Sequence, residues 1–61
     1  MQVEIKYMEF VPGTLQAVGK RFCVTTVNEE YLKNAEMRTL NIALEKELGH
    51  TSFKILSYKV L

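Results

Sequence analysis

Between Met37 and Leu48 the large apolar side chains fall at spacings of three and four: Met37, Leu40, Leu44 and Leu48, with Ala43 on the edge of the stripe. That is the period of one helical face. On either side the pattern is different. Val3, Ile5 and Tyr7 alternate with Gln2, Glu4 and Lys6, and the segments "KRFCVTTV" and "SFKILSYKVL" are rich in β-branched and aromatic residues. The period thus changes from two to about 3.6 and back again. A chain that does this must lay its helix on a sheet.

The punctuation agrees. Asn28 is a good N-cap, with Glu29 and Glu30 in the first turn where the helix dipole favours carboxylates. Gly49, directly after Leu48, is a left-handed helix stop. Pro12-Gly13 signals a turn, and Gly19 marks the far end of the same connection. The expected elements are a strand over 2–10, a loop over 11–19, a strand over 20–27, a helix over 29–48 and a strand over 52–60. Tyr31, Leu32 and Ala35 lie off the apolar stripe at 100° per residue, so the helix either bends near Asn34 or packs its first turns elsewhere.

The fold class is therefore α+β, a single β-β-α-β domain spanning 1–61. One helix covers one face of a three-stranded antiparallel sheet. Placing the first strand between the other two makes both pairings antiparallel and keeps the crossover right-handed, which gives the strand order 3-1-2.

With 61 residues, such a domain has a core of about a dozen side chains and a stability on the order of 3–5 kcal/mol. The hydrophobic fraction of 48% and charged fraction of 25% argue against disorder. Eight basic and seven acidic residues leave a net charge of +1, so no global field pulls the chain towards nucleic acid or anionic membranes. No apolar run approaches a membrane span, and the charged start "MQVEIKYMEF" is unlike a signal peptide. A lone cysteine, Cys23, forms no internal disulfide. The expected setting is cytoplasmic.

No stretch names a chemistry. "GTLQAVGKR" approaches a phosphate-binding loop, but five residues separate Gly13 from Gly19-Lys20 instead of four. Arg21 stands where Ser or Thr would hold magnesium, and a strand follows where a helix N-terminus is needed. His50, Thr51 and Ser52 are neighbours in an extended segment and do not converge into a triad; His50 suits the helix C-terminus instead. One cysteine and one histidine cannot fill a zinc site. Glu45 and Glu47 do not share a helix face. No cofactor, no metal and no enzymatic activity are expected.

Two binding readings remain. One helix covers one sheet face, yet the strands are apolar on both. Taking Val3, Ile5, Tyr7, Phe22 and Val24 as the helix-facing set leaves Leu56, Tyr58 and Val60 as a surplus face, with Val11 and Leu15 on an apolar hairpin arm. The expected function is a non-enzymatic protein-interaction module, a regulator or inhibitor, docking through Val11, Leu15, Leu56, Tyr58 and Val60 on another protein or on a second copy as a homodimer. Its size and lack of catalytic motifs suit the accessory proteins that phages and mobile elements encode. The alternative is a nucleic-acid-binding strip of Lys20, Arg21, Lys54 and Lys59, joined by Lys6 if the strands converge, beside Tyr7, Phe22 or Tyr58.

Overall fold

The computed structural model describes residues 1–61. Strands β1 (Gln2–Phe10) and β2 (Ala17–Thr26) form a hairpin, helices α1 (Glu29–Asn34) and α2 (Glu36–Leu48) follow, and β3 (Phe53–Val60) closes the chain. The sheet is antiparallel with order β2-β1-β3, so the first strand is central as expected.

The connection between β1 and β2 is shorter than the expected 11–19 loop. The amide of Thr14 donates to the Val11 carbonyl at 3.0 Å, closing a turn with Pro12 and Gly13 at its centre. Gly13 has φ 79°, which the second central position of this turn type requires and glycine adopts freely. Pairing resumes at Ala17, and Gly19 sits inside β2 opposite Glu9. Glu9 pairs with Gly19 and Phe10 with Ala17, so Val18 is an extra residue in the ladder.

A second extra residue interrupts β3. Lys6 pairs with Ser57 while Tyr7 pairs with Ile55, and Leu56 is left over. The bulge resets the alternation. Residues opposite one another share a face, so Phe53, Ile55, Tyr58 and Val60 all lie on the side of Val3, Ile5 and Tyr7. The surplus face expected from Leu56, Tyr58 and Val60 is therefore not formed: Tyr58 and Val60 belong to the helix side.

The expected single helix is two. Ala35, with φ −148° and ψ 66°, breaks it between α1 and α2. In one unbroken helix Leu32 would point about 80° away from Leu40. The break removes that conflict, and Leu32, Leu40 and Leu44 are all buried. The carbonyl of Tyr31 accepts from the Ala35 amide at 2.8 Å and from the Thr39 hydroxyl at 2.9 Å, tying the two helices together. Met37, expected on the buried stripe, is half exposed in the first turn of α2. Gly49 ends α2 in the left-handed region at φ 77°, its amide donating to Glu45 O at 2.8 Å.

The core is Val3, Ile5, Tyr7, Val27, Leu32, Leu40 and Leu44, with Cys23, Ala43, Leu48, Phe53, Ile55 and Tyr58 packed around it. Tyr7 and Phe53 meet edge to face at 6.3 Å.

Asn28 Oδ1 accepts from the amides of Glu30 at 2.9 Å and Tyr31 at 3.2 Å. Alone, a six-residue helix is too short to be stable, so this cap holds much of α1 in place. Asn28→Ala is expected to cost about 1 kcal/mol. In a domain this small that lowers the melting temperature by roughly 4–8 °C, measurable by circular dichroism.

Candidate docking face

The helices cover one side of the sheet; no element covers the other. The paired residues on that open side form three cross-strand rows running β2-β1-β3: Lys20, Met8, Lys54; then Phe22, Lys6, Ser57; then Val24, Glu4, Lys59. Neighbours within a row stand ~5 Å apart and the rows are ~7 Å apart. The whole lattice is therefore one contiguous surface on which every side chain neighbours the next.

Strand β2 is built inside out on this lattice. Its helix-facing residues are Arg21, Cys23 and Thr25, opposite Tyr7, Ile5 and Val3; its outward residues are Phe22 and Val24. This reverses the expectation that Phe22 and Val24 face the helix. Phe22 is 63% exposed and Val24 49%. A one-residue slip would turn the whole strand over, bringing Phe22 and Val24 in but taking Cys23, Thr25 and Val27 away from the core side. In the present register the inward polar groups also find partners. Thr25 Oγ1 donates to Glu47 Oε1 at 3.2 Å, and Arg21 Nε donates to Glu9 Oε1 at 2.8 Å.

The expected site residues are dispersed. Leu15 is 94% exposed at the hairpin tip, with Val11 at the start of the same turn. Leu56 is the bulged residue of β3 and is partly exposed. Tyr58 is half-buried opposite Ile5, its hydroxyl donating to Glu36 Oε2 at 2.9 Å; that bond raises its pKa. Val60 lies opposite Val3 at the end of the sheet. Of the expected basic strip, Lys20, Lys54 and Lys59 do share the open face, whereas Arg21 points to the helix side. Sequence reasoning weighed Lys6 and Phe22 only as company for the basic strip and set Phe22 and Val24 towards the helix, so it missed the outward apolar pair they form. Their signal was strict alternation about Arg21 and Thr25, masked by the apolar character of both sides of β2.

The charges are segregated. The open face carries Lys6, Lys20, Lys54 and Lys59 against Glu4, a balance of +3. The other four cations stand against six carboxylates, a balance of −2, and the two together give the chain's +1. Only Lys59 of the four reaches a carboxylate, Glu4 at 3.6 Å.

His50 is held within the fold. Its Nδ1 accepts from the Ser52 amide at 3.0 Å, which puts the ring proton of the neutral form on Nε2, donating to Glu9 Oε2 at 3.1 Å. A groove of about 590 Å³ lies between the helices and the end of β2, with Tyr31, Arg38, Ile42 and Lys46 among its walls and no His, Cys or carboxylate. No three His, Cys, Asp or Glu side chains cluster where a metal ion could be held. No helix is long and apolar enough to cross a membrane. Comparison with protein-family models, curated proteins and solved structures found no match.

Burial, with a smaller contribution from the Glu47 charge, raises the Cys23 thiol above its ordinary 9.0, and burial raises Tyr7 above 10.0. Both groups ionise more easily in the unfolded chain. Their stabilising contribution is therefore complete below pH 9 and is lost as pH climbs through the raised values in the fold. Thermal melts are expected to shift downwards above pH 9. In Cys23→Ala the loss between pH 9 and 10 should be smaller than in the parent.

Proposed function

We propose that this chain is a non-enzymatic docking module, a regulator or inhibitor that works by seating its open sheet face on a partner protein. The observation that carries the reading is the inverted strand β2, which holds Phe22 and Val24 in water while Arg21 and Thr25 face the helices. An apolar pair exposed side by side on an uncovered sheet face is surface suited to contact. The hairpin tip with Leu15 and Val11 and the bulged Leu56 extend the apolar contact beyond the strand ladder. Tyr58 and Val60 lie on the helix side of the sheet and are not part of this surface. The two internal partners of the His50 ring support a structural role for that residue rather than a catalytic one.

The test is capture of partners by the tagged protein from cells that express it, with and without nuclease. The wild type is compared with Phe22→Ser/Val24→Ser and with Ile42→Ser on α2. A protein retained after nuclease by the wild type and Ile42→Ser, but lost by the face variant, is the expected result. A partner held equally by all three would remove the sheet face from consideration. Nucleic-acid binding is a second reading because Lys20, Lys54 and Lys59 do share a face with Lys6 and Phe22. Enrichment that disappears with nuclease would favour it.

A further inference from the structure

We infer that the open sheet face is shaped for an acidic protein surface carrying apolar or aromatic side chains. This rests on the docking reading above and adds the chemistry of the partner. Lys6, Lys20 and Lys54 have no carboxylate partner within the fold. Lys6 is the diagonal neighbour of both Lys20 and Lys54, which flank Met8 two strands apart, so all three lie within or close to the ~8–10 Å over which charges still act on one another at ordinary salt. Glu4 offsets only part of their mutual repulsion, and anions brought from outside would relieve the rest.

Three occupants satisfy that requirement to different degrees. A second copy of this chain, docked by a two-fold axis through the same face, would set +3 against +3; complementarity of potential is what specific interfaces show. Single-stranded nucleic acid supplies negative charge, but its bases want ring platforms. Along the β2 edge the face offers Phe22 together with the aliphatic Val24 and, at the bulge, Val18. Arg21, whose guanidinium fork matches phosphate best, is turned to the other side and held by Glu9, and Glu4 stands within the lysine field. An acidic protein surface meets both halves of the lattice: carboxylates over Lys6, Lys20 and Lys54, and an apolar side chain against Phe22 and Val24.

Amide chemical-shift mapping by NMR on the intact chain tests this with three probes: poly(Glu,Tyr), polyglutamate and oligothymidylate. Shifts are expected along the outward positions of the sheet, with poly(Glu,Tyr) bound more tightly than polyglutamate and both more tightly than oligothymidylate. Lys6→Glu/Lys54→Glu should weaken poly(Glu,Tyr) by about tenfold or more, a loss of about 1.4 kcal/mol. Lys6→Gln/Lys54→Gln, which is gentler on the fold, should lie between that variant and the parent. Phe22→Ser should abolish the preference for the tyrosine-containing polymer, and Arg38→Glu on α2 should change nothing.

Tighter binding of oligothymidylate would overturn the inference in favour of nucleic acid. Open-face shifts on dilution of the protein alone would overturn it in favour of a second copy. No binding of either polypeptide, or shifts confined to the helices, would also refute it. If both polypeptides fail while capture from cells still depends on Phe22, the acidic chemistry is wrong and the docking face stands. Loss of the Phe22 dependence itself would sink the docking reading.

Discussion

Leu44→Ala is expected to leave the chain largely unfolded at physiological temperature. Leu44 is fully buried, as are Val3, Ile5 and Leu40, and only eight of the 61 residues are buried at all. Truncating a buried leucine costs ~2–5 kcal/mol, more where the walls cannot collapse into the space left. Here the walls are the central strand and the second helix, and a domain of this length has on the order of 3–5 kcal/mol in total. The loss is thus comparable to the whole stability. Urea titration followed by circular dichroism checks it: the unfolding midpoint should fall to near zero denaturant. A variant that kept more than half of the parental midpoint would place the true core elsewhere.

Phe22→Ser should behave in the opposite way. The ring is mostly in water, so removing it forfeits little packing, and surface changes of this kind usually stay within ~0.5 kcal/mol. Partner binding, by contrast, should weaken by roughly 30-fold or more, because a central aromatic anchor commonly contributes 2 kcal/mol or more to an interface. Titration calorimetry with the captured partner, beside a urea melt of the same sample, reads both quantities. A parental affinity with a lowered midpoint would mean that Phe22 serves the fold rather than the contact.

The parts of this architecture written in local chemistry were readable from the sequence. Asn28 and Gly49 marked the two ends of the helical segment, and the stripe of Leu40 and Leu44 identified its buried side. The demand for antiparallel pairing put β1 in the centre. What was not readable depends on pairing across the sheet. Val18 and Leu56 are ordinary strand residues whose extra place in the ladder is set by what lies opposite, and each shifts the faces of everything beyond it. The inversion of β2 was hidden because Phe22 and Val24 are individually better core residues than Arg21 and Thr25. Nothing local shows that Glu9 and Glu47 stand where Arg21 and Thr25 can reach them, or that Cys23 and Val27 are the apolar residues turned inward. The break at Ala35 has no signal in the residue itself, since alanine is the strongest helix former. The place of Leu32 off the apolar stripe did point to a bend near Asn34 as one of two outcomes. The break comes from the need to bring Leu32 and Leu40 to one sheet. The basic face was legible in part: Lys20, Lys54 and Lys59 do share one face, and only Arg21 falls on the other side, a matter of register.

The extra residue in β3 has a bearing on how this domain can change over generations. Without Leu56 the strand would read Phe53, Lys54, Ile55, Ser57, Tyr58, Lys59, Val60, a regular in-and-out alternation with the same four side chains towards the helices. Loss of this codon would thus be a silent event for the interior, although most single-residue deletions in a strand turn it over. The outline of the sheet can be trimmed or exchanged at that one place while the domain goes on folding as before, so its surface can drift at a rate that the interior does not set.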